Sequence, residues 1–254
     1  DMDAKYPLEK RAKSKATHLR SRFAEFFTTL AEKLLHGISN TGEEGISNEH
    51  EQDGEAAAFA AAHNKFASAT GGNDLSVLQV LVDQLVTLSG YSLVNLRDGA
   101  LEAAGAMGQA IASDVVTRRE EAHKQHRLLD AEGSKSGNKG RQSARYKHLA
   151  VTIAAMEGSL RSLDQLTHTI FDGCLISRYK DFHASIRYAS LRHIGHWVQL
   201  DPEKYMRDEY LKYLGWSLSD PDAAVRLGAV KALRAILDCS EHTSRMQSFS
   251  DRFC

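Results

Sequence analysis

The same helical phrase occurs twice between residues 181 and 233, 39 positions apart. The first copy runs Asp181, Ile186-Arg187, Ser190, Ile194; the second runs Asp220, Val225-Arg226, Ala229, Leu233. A weaker third match lies upstream at Leu96-Arg97, Ala100 and Ala104. Each full copy has an acidic turn, an apolar-Arg pair and small or apolar residues one helical turn apart. A period of about 40 residues with this content marks stacked helical hairpins. One pair of helices cannot bury its own apolar face, so each hairpin needs a neighbour.

The period predicts an all-α fold, a HEAT-repeat-like α-solenoid. Arrays of this kind bind other macromolecules along an extended surface, and covalent chemistry is not expected of them. Composition agrees. The 254 residues are 42% hydrophobic and contain three prolines. That is enough apolar material for a sizeable core and favours helix over strand. No stretch approaches the roughly 18 apolar residues of a membrane span. Asp1-Met2-Asp3-Ala4-Lys5 lacks the order of a signal peptide. Cys174, Cys239 and Cys254 are odd in number and far apart. They read as reduced thiols of an intracellular protein. A start without an initiator Met and an end just after a helical stretch predict a piece of a longer protein.

The net charge of −1 conceals segregation. Residues 10–22 hold Lys10, Arg11, Lys13, Lys15, Arg20 and Arg22 and no acid. Residues 43–55 hold Glu43, Glu44, Glu49, Glu51, Asp53 and Glu55 and no Lys or Arg. Residues 133–148 hold Lys135, Lys139, Arg141, Arg145 and Lys147, again without an acid. Local patches of this kind set the field that a polyanion meets, whatever the total. A charge run is usually a solvated face, yet two acid-free basic runs on a helical scaffold also fit sequence-independent phosphate contact.

Along the chain, residues 16–37 read as an amphipathic helix with Leu19, Phe23, Phe26, Phe27, Leu30 and Leu34 on one side, closed by Gly37. Residues 38–55 read as a flexible acidic loop and 56–68 as a short alanine-rich helix, broken by Gly71-Gly72. Asp74 caps a helix that buries Leu75, Leu78, Leu81, Val82, Leu85 and Leu88 and ends at Gly90. A long helix follows from about Leu93 to Glu132. Its first half is small and apolar and its second half charged, and it spans roughly 60 Å. After the loop Gly133–Gly140 a helix returns from Arg141 to about Phe171. Together they make a long, projecting, antiparallel hairpin with a basic tip. Asp201-Pro202 and Asp220-Pro221 place a cap and a first-turn proline at helix starts. The expected divisions are residues 1–92 for the N-terminal helices, 93–171 for the hairpin and 172–254 for the repeats.

No enzymatic constellation emerges. Gly133–Gly140 lacks the spacing of a phosphate loop and has no strand before it. His193 with His196, and His123 with His126, are two-nitrogen pairs without a third ligand at metal spacing. Arg187 and Arg226 read as structural, bonded to the acids or carbonyls of a neighbouring turn. Tyr205, Tyr210, Tyr213 and Trp216 crowd one short region, the last three at i, i+3, i+6. Aromatic core and peptide pocket remain equally good readings of that cluster.

This cluster carries a resemblance. Tyr210-Leu-Lys-Tyr-Leu-Gly-Trp216 is similar to the YLKYVGW run of the stromal antigen (stromalin) subunits of cohesin. Arg178-Tyr179-Lys180-Asp181 resembles their RYRD. Ile186-Arg187, Ile194-Gly195 and Trp197 match IR…IG.W; Val225-Arg226-Leu227 and Lys231-Ala232-Leu233 match VRLK..KAL; Arg252-Phe253 matches SRF. Upstream, Tyr6-Pro7-Leu8, the helix with Arg20, Phe23 and Phe26, and Ile170-Phe171 fit more loosely. Ser177 stands in place of a usual His, Arg192-His193 in place of two acids, and Asp172 in place of a basic residue.

The resemblance implies a non-enzymatic, HEAT-repeat regulatory subunit of cohesin, acting in sister chromatid cohesion and chromosome organisation in the nucleus, on chromatin. It implies a kleisin chain and double-stranded DNA as partners. It also implies short peptides of shugoshin-like or other chromatin regulators, carrying aromatic-x-Phe motifs flanked by acids. Carried over by position, the peptide pocket falls on Tyr179, Asp208, Lys212, Trp216, Arg252 and Phe253. DNA contact is expected at Lys10, Arg11, Lys13, Lys15, Arg20 and Arg22. A second patch is expected at Arg118, Arg119, Lys124, Lys135, Lys139 and Arg141. No cofactor, metal or membrane is expected. The competing reading is a generic helical-repeat adaptor or transport scaffold that binds peptides without DNA.

Overall fold

Apolar residues at helical spacing, with almost no proline to interrupt them, leave the backbone to satisfy its hydrogen bonds within helices. The computed structural model describes residues 6–40, 74–134, 144–238 and 246–253, the side chains of 6–20, 39 and 40 excepted, and contains no strand among them. Its elements are α1 (Tyr6–Asn40), α2 (Asp74–Ser89), α3 (Val94–Ser134), α4 (Ala144–Ile170), a π-helical turn (Phe171–Ile176), α5 (Ala184–Leu200), α6 (Pro202–Tyr205), α7 (Asp208–Ser217), α8 (Ala223–Leu237) and α9 (Gln247–Phe253). The helix expected over 56–68 and the loop over Gly133–Gly140 involve residues outside those described.

α1 is longer than its apolar stripe suggested and runs through Gly37. A Cβ at Gly37 would lie 1.8 Å from Asp74 Oδ2. The glycine therefore serves the close approach of α2, and does not cap α1.

α3 is the central strut, touching α1, α2, α4 and α5. Its first half is built from Ala100, Ala103, Ala104, Ala106 and Ala112 with Leu101, Met107 and Ile111, all buried. Small side chains let other helices come close. A Cβ at Gly108 would sit 2.2 Å from Trp197 Cζ2, so the fully buried indole of α5 rests directly on the α3 backbone. α4 returns antiparallel, with Ile170 near Gly108 at one end and His126 Nε2 2.9 Å from Glu157 Oε1 farther out. From His123 to Ser134 and from Ala144 to Thr152 no residue is buried.

The repeated phrase proves to be an inter-helix ladder. Arg187, at the start of α5, bonds Asp220 with both Nε (2.7 Å) and Nη2 (2.8 Å). Its Nη1 donates to the carbonyls of Asp181 and Phe182 in its own turn. The weaker upstream match behaves the same way. Arg97 bonds Asp181 through Nε (2.9 Å) and Nη2 (3.1 Å), and its Nη1 donates to the carbonyls of Tyr91 and Ser92. Asp181 and Asp220 occupy equivalent turns, each also accepting the backbone N–H two residues on, from His183 and Asp222. Bidentate arginine forks of this kind fix geometry as well as charge. The Arg187 bond, partly opposed by burial, holds Asp220 below the usual carboxylate range. Burial pushes the Asp181 carboxyl up, but the Arg97 and His183 bonds outweigh it, so the net shift is downward.

The two proline-bearing turns differ. Asp201 caps α6 as expected, accepting from the Lys204 N–H with Pro202 in the first turn. At the other turn the cap is Asp222, which accepts from the N–H groups of Ala224 and Val225. Asp220 is committed to Arg187 and does not cap α8.

A third acid lies between α3 and α5. Glu102 is buried and meets Arg192 Nη2 and His193 Nε2 (3.3 Å). Burial alone would raise its pKa. The His193 bond and charge, followed by those of Arg192, prevail and bring it to about 2 from an ordinary 4.5. A carboxyl depressed on folding stabilises the fold above its unfolded pKa, and that stability fades as pH falls towards the folded one. Unfolding free energy is therefore expected to drop between about pH 4.5 and 2. Glu102→Gln should flatten this slope in denaturant titrations at successive pH values, and an unchanged slope would contradict the assignment.

Candidate functional site

The aromatic cluster divides in two. Tyr205 belongs to α6, not to the α7 helix that carries the others, and is 1% exposed. Tyr205 and Tyr210 close an inner cluster with Phe171 and Trp197, at centroid distances of 5.0–5.6 Å. Phe171, Trp197 and Tyr205 are core, and Tyr210 packs partly buried against them. Tyr213 and Trp216 lie on the outer side of α7 and meet Tyr179, which the chain supplies just after the π-helical turn.

Tyr179 stacks on Trp216 at 6.3 Å and meets Tyr213 edge-on at 4.9 Å. Tyr213 is perpendicular to Trp216 at 5.7 Å. Trp216 remains 44% exposed. Two ammonium groups hang over this aromatic surface. Lys180 Nζ is 5.3 Å from the Tyr179 ring and 6.0 Å from Trp216. Lys212 Nζ is 5.1 Å from Tyr213 and 5.7 Å from Trp216. Cations over an indole face prefer acidic or π-rich company to purely aliphatic company. Beside them a cleft of about 440 Å³ opens between two turns, walled by Tyr179, Lys180, Arg187, Trp216, Ser219 and Pro221.

α9 flanks α7. Ser248 Oγ donates to Asp208 Oδ2 at 2.8 Å. At the other end Phe253 lies against Gly215, where a Cβ would be 2.7 Å from the ring. Arg252 reaches over the Phe253 ring at 5.4 Å. All six expected pocket positions thus lie on or beside α7. Two expected relationships do not form. Phe253 makes no ring contact with Trp216, because it packs on Gly215. Asp208 and Lys212 do not pair; Asp208 accepts from Ser248, and Lys212 covers the rings. Lys180 and Tyr213 were absent from the six. Both belong to the motifs that carry the resemblance, and Tyr213 to the aromatic cluster, but only the fold shows that they converge on Trp216.

The basic candidates fare unevenly. Lys10, Arg11, Lys13, Lys15 and Arg20 lie along α1, with side chains outside the description. Lys135, Lys139 and Arg141 are outside the described residues altogether. Arg22 is exposed. Lys124 pairs loosely with Glu121 at 3.5 Å. Arg118 and Arg119 are not free cations. Arg118 pairs with Asp114 and donates to the Leu35 carbonyl, and Arg119 grips both oxygens of Asp201 at 3.0 and 3.2 Å. They lie on the proximal part of α3, where packing against α1 and the α5–α6 corner captures them. Among the described residues no group of His, Cys, Asp and Glu could hold a metal, and no helix is long and apolar enough to cross a membrane.

Residues 180–254 match the stromalin conservative domain. Over this segment the chain is similar to the stromalin subunits of cohesin. Among its relatives, the sister-chromatid cohesion protein 3 of Arabidopsis thaliana is 31% identical over 144 residues, covering 57% of this chain and 12% of that protein. The cohesin subunit SA-3 of Rattus norvegicus is 34% identical over 127 residues, half of this chain and 10% of the relative. The cohesin subunit Scc3 from Z. rouxii superposes with a TM-score of 0.63 at 26% identity, over 76% of this chain and 21% of that one. The chain therefore spans about a tenth of the length of such curated relatives. The latter two relatives are named as cohesin subunits. The stromalin conservative domain begins at Lys180, one residue after Tyr179, and contains Lys212, Trp216, Arg252 and Phe253.

Proposed function

We propose that this chain serves as a non-enzymatic regulatory part of cohesin. It associates with the kleisin chain and double-stranded DNA and docks short aromatic peptides of chromatin regulators. Its setting is the nucleus, on chromatin, and its role is sister chromatid cohesion and chromosome organisation. The observation that carries the docking part is a half-exposed Trp216, stacked with Tyr179 beneath two ammonium groups. Exposed tryptophan and tyrosine beside cations are the residue types that dominate binding energy at interfaces. The Lys180 and Lys212 charges favour a ligand with acids around its aromatic residues. Shugoshin-like sequences and other regulators bearing aromatic-x-Phe fit that description. The test is co-expression with the kleisin chain followed by size-exclusion chromatography. A stable complex supports the reading, and separate elution at micromolar concentration contradicts it.

DNA contact is proposed for Lys10, Arg11, Lys13, Lys15, Arg20 and Arg22, with Lys124, Lys135, Lys139 and Arg141 as the second patch. Arg118 and Arg119, held in internal pairs, contribute to the field but not to phosphate contact. Binding is expected to show little base preference, since phosphate contacts carry no sequence information. The logarithm of affinity should fall linearly with that of salt, at about −0.9 per phosphate neutralised. Reversing the charges of both patches should abolish binding to duplex DNA at low salt. Unchanged affinity would favour the second reading, a helical-repeat adaptor that binds peptides without DNA.

A further inference from the structure

The ring of Phe182 is wholly uncovered. It is 100% exposed, against 71% for Val151, the next most exposed large apolar side chain among the described residues. Its main chain is tightly held. Asp181, just before it, accepts the His183 N–H at 3.0 Å and is gripped by the Arg97 fork. The Phe182 carbonyl accepts from Arg187 Nη1 at 3.2 Å, and Arg187 is itself forked on Asp220. A phenyl ring is thus presented to solvent from a turn whose backbone is fixed on both sides. A single exposed apolar residue needs no explanation by itself. Its position is what gives this one meaning.

Phe182 corresponds, 39 residues on, to Pro221. The two turns are built alike: Arg226 Nη1 donates to the carbonyls of Asp220 (2.6 Å) and Pro221 (3.0 Å), as Arg187 does to those of Asp181 and Phe182. Equivalent positions of stacked units lie side by side. Asp181 and Pro221 both wall the cleft beside Trp216, so Phe182 stands at its rim. Lys180 joins the two aromatic surfaces. Its ammonium is 6.0 Å from the Trp216 ring, and its Cα is at most about 7 Å from that of Phe182, two residues on. The surface therefore runs indole, ammonium, phenyl.

We propose that Phe182 is a second apolar anchor of the docking surface, and that the preferred peptide carries a leucine-sized or aromatic side chain beyond the acids that face Lys180. The inference rests on the reading of Trp216 as a peptide site. An extended chain advances about 3.3 Å per residue, which puts the second anchor roughly three to five positions from the residue seated on Trp216. The order of chemistry selects this occupant. An aromatic–acid–apolar peptide matches all three surfaces, whereas a uniformly acidic segment leaves the phenyl ring in water. Phe182 then sets specificity among acid-flanked aromatic peptides, because those without the second apolar residue gain nothing from it.

The test is fluorescence anisotropy with labelled, acid-flanked Phe-x-Phe peptides and the full natural protein. A parent with no apolar residue outside the Phe-x-Phe core is compared with a series in which one leucine is walked along each flank. At one position leucine is expected to tighten binding at least about fivefold. Phe182→Ala should abolish that gain and leave the parent's affinity within about twofold, with an unchanged melting temperature, since the ring packs on nothing. Phe182→Leu should retain most of the gain. Trp216→Ala should weaken parent and leucine peptides alike. If the parent binds and no leucine position improves it, or if the gain survives Phe182→Ala, the second anchor is overturned while the Trp216 site stands. A parent that fails to bind the wild-type chain overturns the Trp216 reading, and this inference with it. Self-association that Phe182→Ala abolishes, measured by sedimentation, would overturn the proposal in favour of a contact between copies.

Discussion

Replacing Arg187 with alanine is expected to cost about 3–5 kcal/mol of unfolding free energy. The side chains of Arg187 and Asp220 are 12% and 10% exposed. Removing the arginine leaves a nearly buried carboxylate without its fork, and the carbonyls of Asp181 and Phe182 without their donor. Losing one partner of a buried pair is far costlier than the pair's net worth, because the remaining charge stays desolvated. Arg187→Lys should recover only part of the loss, since an ammonium cannot make the two parallel bonds. The comparison is Arg234→Ala, whose partner Asp238 is 3.7 Å away and whose side chain is 81% exposed; it should change stability by no more than about 0.5 kcal/mol. Urea unfolding of the three variants measures this. A loss below about 1 kcal/mol for Arg187→Ala would mean that the ladder is ornamental.

Trp216→Ala should weaken binding of an acid-flanked Phe-x-Phe peptide by at least about 2 kcal/mol, roughly thirtyfold. The same change should cost under about 2 kcal/mol of stability, because much of the indole already faces water. Trp197→Ala should do the reverse. Trp197 is fully buried against Phe171, Tyr205 and the α3 backbone, so its truncation should cost about 3–5 kcal/mol. Lys180→Glu and Lys212→Glu should weaken the peptide more at low salt than at high salt, as expected for partly exposed charges. Calorimetric titration and thermal melting on the same samples separate the two tryptophans.

The sequence made the ladder legible where its parts recur at fixed spacing, at Asp181, Arg187, Asp220 and Arg226. The pairing of Arg97 with Asp181 was hidden. The long α3 and α4 intervene between them and break the period, leaving only a weak upstream match. Tyr205 could not be separated from Trp216, because the break at Met206-Arg207 carries no glycine or proline. Gly37 read as a helix end, but its true constraint is Asp74, which only packing brings near. Arg192-His193 stood out as a departure from the stromalin pattern, but their contact with Glu102 gave no signal, since it joins two helices far apart in the chain. The six pocket positions came from the stromalin resemblance, and their convergence on α7 follows from how α9 docks on Asp208 and Gly215. The Arg118–Asp114 pair is an i,i+4 spacing that the sequence does carry, whereas the capture of Arg119 by Asp201, 82 residues away, was beyond a reading of charge alone.

The claim that Trp216 is a docking surface has one direct measurement, tryptophan emission during titration with an acid-flanked Phe-x-Phe peptide that contains no tryptophan. Trp197 is sealed and should stay silent, so the response reports Trp216. The expected result is a saturable blue shift that vanishes when both peptide phenylalanines become alanine, and that is absent from Trp216→Ala. Emission that never changes up to millimolar peptide, or an identical shift in Trp216→Ala, would contradict it.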